Sequence, residues 1–102
     1  MPQLPEEVRQ RAMAAGVTTY TAANGESYLV VHHADTWQVY TNVCPHRHLR
    51  LDRGGQLYLT PDRSLVVCVN HGAKFQLLTG KCVAGPCVGR YLQRVPGWEE
   101  SS

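Results

Sequence analysis

Two short stretches carry the residues with the most distinctive chemistry, "CPHRH" at 44–48 and "CVNHG" at 68–72. Each sets a cysteine two or three positions ahead of a histidine: Cys44 before His46, and Cys68 before His71. Thiolate and imidazole together suit zinc, iron or copper and serve hard cations such as calcium poorly. Between His46 and Cys68 lie 21 residues, room for a hairpin that brings both loops together. Four such ligands could close a tetrahedral zinc site on one ion. A structural zinc module usually takes its cysteines from one segment and its histidines from the other. Here each loop supplies one of each kind, which suits a two-iron centre with both thiolates on one iron and both imidazoles on the other.

These loops need elements to hold them. "LPEEVRQRAMAAG" predicts one short helix, with Pro5 suited to its first position, Glu6 and Glu7 to its positive end and Gly16 to its stop. Everything after it reads as strand and turn. "TTYTA" and "SYLVVHH" flank "ANGE", whose Asn-Gly pair signals a two-residue hairpin. "ADT" then turns into the alternating, β-branched and aromatic "WQVYTNV". After the first Cys/His stretch come "QLYL", a "TPDRS" turn and "LVVCV"; after the second come "KFQLL", a "TGK" turn, "CVAGPC" and "GRYLQRV". The expectation is all-β, seven or eight short strands in a sandwich or small barrel, with both ligand stretches on strand-joining loops. A helical segment over residues 1–16 precedes the β domain of residues 17–102.

The totals bound the function. A chain of 102 residues fits one domain, and 43% apolar with 18% charged residues is ordinary globular composition. A net charge of +2, scattered and without basic-aromatic runs, gives no reason to expect nucleic-acid binding. No apolar stretch is long enough for a membrane-spanning helix, and "MPQLPEEVRQRAMAAG" lacks the apolar core of a secretory signal. The expected compartment is the cytoplasm, where thiols stay reduced, so four cysteines point to metal before disulfides.

With "CPHRH" as a C-x-H box and "CVNHGAKF" as a C-x-x-H-G box, the chain resembles Rieske-type [2Fe–2S] proteins, in particular small stand-alone bacterial Rieske ferredoxins. Thr79–Gly80, "GPC" at 85–87 and Leu92 extend the likeness, which covers residues 17 to 96. The resemblance implies a Rieske-like sandwich binding one [2Fe–2S] cluster. Cys44 and Cys68 would ligate the inner iron, and His46 and His71 the outer iron near the surface. It also implies Gly72 as a point of close backbone approach and Pro45 as a stiffener of its loop.

Two departures bear on potential. High-potential respiratory Rieske proteins carry an extra cysteine in each ligand loop, joined as a disulfide; here those positions are Leu49 and Asn70. The same group places serine and tyrosine hydroxyls near the cluster sulfurs, where this chain has Ala73 and Phe75. Donors to sulfur stabilise the extra electron, so their loss implies the negative end of the Rieske range, roughly −150 mV.

The implied role is a soluble one-electron carrier, not catalytic alone, serving as the ferredoxin component of an oxygenase system. Its partners would be a flavin reductase and a terminal oxygenase or other acceptor, with no nucleic acid or membrane. The alternative is a non-transferring redox sensor or structural cluster module in an assembly. Other residues read more plainly. His48 is an exposed loop histidine, and adjacent His32 and His33 face opposite sides of a strand. Cys82 and Cys87 are free, partly buried thiols, and Trp37 and Tyr40 are packing residues. Arg47, Arg50 and Arg53 form a docking face or simply a solvated one.

Overall fold

The computed structural model describes residues 4–23, 25–45, 50–52, 56–69 and 72–95. Helix α1 (Glu6–Ala15) starts directly after Pro5 and ends where the Gly16 N–H donates to the Ala12 carbonyl at 2.7 Å. Strands β1 (Val17–Thr21), β2 (Ser27–His33) and β3 (Thr36–Thr41) form one antiparallel sheet in that order. Strands β4 (Tyr58–Leu59), β5 (Leu65–Val67), β6 (Lys74–Gln76) and β7 (Cys82–Ala84) form a second. The all-β expectation with one short helix holds, and the two sheets do not close into a barrel among the described residues.

The hairpins differ from the simplest reading of their turns. The Ala22 N–H donates to the Glu26 carbonyl, so the β1–β2 turn spans three residues, 23–25, instead of two. Gly25 has φ 87°, the left-handed position that such three-residue loops use. The two-residue turn lies between β2 and β3, where His33 pairs with Thr36 and both Ala34 (φ 52°) and Asp35 (φ 62°) are left-handed. At the β4–β5 turn, the Thr60 and Ser64 hydroxyls and the Ser64 N–H donate to Asp62, holding its carboxyl below the usual range.

The apolar run "LVV" in β2 is buried on both faces, which alternation along a strand requires if the sheet lies between two layers. Val30, with Val39 of β3, packs against Leu4, Val8 and Ala12 below the helix. Leu29, Val31 and Tyr40 face the opposite way, into a core shared with Val66, Phe75 and Leu77 of the second sheet region. Trp37 packs at the edge of the helix layer under the Arg9 guanidinium, 5.0 Å from the ring centroid, and against His32.

Residues 89–95, expected as a strand, act instead as a stitch between the sheets. Tyr91 bridges to Lys81, and Arg94 bridges to Tyr40. The Thr41 N–H donates to the Gln93 carbonyl, the Val95 N–H to Val39 and the Leu92 N–H to Gly80. Gly80 has a steric reason to be glycine. A Cβ there would lie 2.9 Å from Tyr40 Cε1 and 3.3 Å from Leu92 Cβ, where the stitch closes on the core.

Candidate metal centre

Cys44 follows β3 and Cys68 follows β5. They are 1% and 0% exposed and belong to one core cluster. The second loop is the β5–β6 turn. The Cys68 N–H donates to the Ala73 carbonyl at 2.8 Å, and the Gly72 N–H returns to the Cys68 carbonyl at 2.9 Å. Gly72 has φ 71° and open space where a Cβ would be, so the turn itself demands glycine here. A recess of about 390 Å³ opens beside this turn, lined by Tyr58, Val67, Cys68, Val69 and Gly72.

The base of the first loop is closed by a polar clasp. Asn42, 1% exposed, donates through Nδ2 to Asp52 Oδ1 at 2.6 Å and to Ser27 Oγ at 3.1 Å. Its Oδ1 accepts the Leu51 N–H at 2.9 Å. Arg50 grips both oxygens of Asp52 at 2.9 and 3.0 Å, and that hydrogen bonding raises the guanidinium pKa further. The Leu51 carbonyl then accepts the Val69 N–H, tying the first loop's base to the second loop. Residues 42 and 50–52 therefore hold the loop ends in register on both sides of 43–49. Arg50 is committed to Asp52 and is not simply a solvated charge.

The turn after β7 supports both ligand loops. Gly85 lies so close to the second loop that a Cβ would stand 2.7 Å from Ala73 Cα, at a φ of 97°. Arg90 reaches the first loop, its Nη1 donating to the Pro45 carbonyl at 3.3 Å. Between them, Cys87 Sγ lies 3.0 Å from Cys82 Sγ, and none of the four cysteines is in a disulfide. Burial, followed by hydrogen bonding to Cys82 and the nearby Cys82 and Cys44, pushes the Cys87 thiol up to about 12.

The structure places two of the four expected ligands. His46 and His71 lie outside the described residues, as do His48, Arg47, Leu49, Arg53, Asn70 and Asn24. Among the described residues no group of three or more histidine, cysteine or acidic side chains is set to hold a metal. What is described fits a sulfur-ligated iron centre. Each loop contributes one water-excluded thiol, Cys44 or Cys68, and neither is in a disulfide. Asn42, Arg90 and Cys87 were not singled out as site residues by sequence reasoning. Asn42 sits two residues before a ligand, a weak signal; for Arg90 the sequence offers none.

Comparison with known proteins agrees. A family model described as the Rieske [2Fe–2S] domain matches residues 5–98. Among solved structures, the terminal oxygenase of carbazole 1,9a-dioxygenase from Novosphingobium sp. KA1 is similar, with a TM-score of 0.58 at 16% identity. The match covers 90% of this chain and 32% of that one, so the present chain spans about a third of the oxygenase. Comparison with curated proteins gives no match. No helix among the described residues is long and apolar enough to cross a membrane.

Proposed function

Because the chain belongs to the Rieske [2Fe–2S] domain family, a family of electron-transfer modules, we propose that it is a soluble one-electron carrier between a flavin reductase and a terminal oxygenase or other acceptor. We assign Cys44 and Cys68 to one iron of its [2Fe–2S] cluster, and His46 and His71 to the other. When bound, the cluster supplies a site that stores a single electron. The protein's own residues do the rest. Cys44 and Cys68 hold their sulfurs in a dry core, where an anionic group keeps its charge only with fixed partners. The Asn42–Asp52–Arg50 clasp fixes the span of the first loop, and Gly85 and Arg90 bring the third turn against both. The observation that carries the reading is the pairing of two buried thiols, one at the start of each cross-tied loop.

Of the recesses among the described residues, the one of about 390 Å³ borders Cys68, whereas one of about 260 Å³, lined by His33, Ser64, Gln76 and Thr79 among others, borders neither Cys44 nor Cys68.

The test begins with iron, inorganic sulfide and the rhombic electron-spin signal of the dithionite-reduced protein. Stopped-flow mixing with a flavin reductase then follows transfer. Iron and sulfide in equal amounts, with reduction in seconds or faster, is the expected result. A colourless, iron-free protein after anaerobic reconstitution refutes the reading. A loaded protein that no reductase reduces, yet whose binding to another protein follows its redox state, would make it a sensor instead.

A further inference from the structure

Arg90 stands in the turn after β7 with its backbone held on both sides. Its N–H donates to the Cys87 carbonyl at 2.9 Å, its carbonyl accepts the Cys82 N–H at 2.8 Å, and the next residue, Tyr91, bridges to Lys81. From that fixed base the exposed side chain reaches the first ligand loop, where Nη1 donates to the Pro45 carbonyl at 3.3 Å. Pro45 lies between Cys44 and His46 in the chain. The guanidinium therefore stands beside the single residue that links an assigned thiolate to an assigned imidazole.

Its charge is uncompensated. Arg50, at the base of the same loop, is countered by Asp52 at 2.9 Å, whereas Arg90 forms no ion pair among the described residues. Nor does the neighbouring sequence supply a carboxylate. Residues 63–98 hold no aspartate or glutamate, yet they carry Arg63, Lys74, Lys81, Arg90 and Arg94. That stretch includes both the second ligand loop and the third turn.

We propose that Arg90 tunes the metal centre, its unpaired charge at the Pro45 carbonyl raising the centre's affinity for an electron. This rests on the ligand assignment proposed above. One-electron reduction adds a negative charge to the centre, and a fixed cation close by favours the state that carries it. An arginine side chain is always charged, so the effect does not come and go with pH. Cys44 is 1% exposed, so water does not surround its sulfur, while the guanidinium is open to salt. The attraction is thus felt at the centre and weakened by added ions.

The experiment measures midpoint potentials of the iron-loaded full chain and of Arg90→Met, Arg90→Lys and Arg63→Met, at low salt and at about 1 M salt. Iron content is determined for each. Arg90→Met is expected to lower the equilibrium constant for reduction by about two- to tenfold, which is about 18–59 mV for a one-electron couple. Arg90→Lys keeps the charge and most of the potential. Arg63 lies beyond the end of β5 opposite Cys68, so Arg63→Met removes the same charge from the protein and leaves the potential nearly unaltered. At high salt the gap between the unaltered chain and Arg90→Met closes. An unchanged potential in Arg90→Met overturns the proposal, as does a gap that salt does not narrow. An equal fall in the methionine and lysine variants also overturns it, marking a role for the hydrogen bond alone, and an equal fall in Arg63→Met would mark a net-charge effect. Loss of the cluster from Arg90→Met counts against it too, since a charge that only tunes potential leaves iron bound. If the unaltered protein takes up no cluster, the proposed function itself fails before any variant is compared.

Discussion

Asn42 and Asp52 meet side chain to side chain at 2.6 Å, across the neck of a loop whose ends lie ten residues apart. Asn42 also serves the Leu51 N–H and the Ser27 hydroxyl, so one amide satisfies three buried or half-buried groups. Replacing it with alanine strands a backbone donor and weakens the support of a buried carboxylate. Asn42→Ala should cost about 2–3 kcal/mol in urea unfolding and speed iron loss to a chelator. A cost below about 0.5 kcal/mol, typical of an ordinary surface substitution, would show that the clasp does not hold the loop.

Removal of a ligand differs from removal of a neighbour. Cys44→Ala, Cys68→Ala, His46→Ala and His71→Ala should each lose or strongly destabilise the cluster, whereas His32→Ala and His48→Ala keep it. His32 packs on Trp37 with ring centroids 4.6 Å apart, in the hairpin whose strands run beneath the helix. Iron content and visible absorbance of the purified variants decide the matter. Retention in His46→Ala with loss in His48→Ala would reverse the assignment within the first loop.

The midpoint potential should fall at the low end of the Rieske range, roughly −150 mV. Ala73 and Phe75, both 0% exposed, present no hydroxyl to the sulfurs from the second loop. Introducing hydroxyls through Ala73→Ser and Phe75→Tyr should raise the potential, because a donor to sulfur favours the reduced state. Spectroelectrochemistry at neutral pH reads both, and a value well above zero in the unaltered chain would contradict the expectation.

Tyr40 ties the core across the two sheets, its hydroxyl donating to the Leu77 carbonyl at 2.9 Å. Tyr40→Phe leaves that carbonyl unpaired and should cost about 1–2 kcal/mol. Burial, partly offset by Arg94, pushes the Tyr40 phenol up to about 12 from its ordinary 10. A raised pKa favours the protonated form in the folded state, so its stabilising effect is complete below pH 10. It is lost as pH climbs from 10 toward 12. Alkaline unfolding followed by tyrosinate absorbance should show this loss, and the phenylalanine variant should lack that component.

Gly85 fixes how near the third turn comes to the second loop. A Cβ would meet Ala73 Cα at 2.7 Å and sit on a backbone with φ 97°. Gly85→Ala should cost about 1–3 kcal/mol and push the turn after β7 away from the second loop. A Gly85→Ala protein of unaltered stability and potential would show that the turn can be displaced freely.

The sequence by itself determined the chemistry. Residue type and spacing at Cys44, His46, Cys68 and His71 offer thiolate and imidazole donors from two segments, and metal preference resides in the donor atoms themselves. Strand period and turn residues likewise announced the hairpins and the one short helix, since these are local properties of a few neighbouring residues. Tertiary structure decided what no local pattern encodes. Leu29 and Val30 point to different cores because the first sheet lies between a helix and a second sheet, and "GRYLQRV" became a stitch because it bridges Tyr40 and Lys81. Arg90 meets Pro45 from 45 residues away, and Gly85 presses on Ala73 from a separate turn. Such contacts depend on how distant segments pack, so the sequence offers the candidate donors while the fold chooses the neighbours of Cys44 and Cys68.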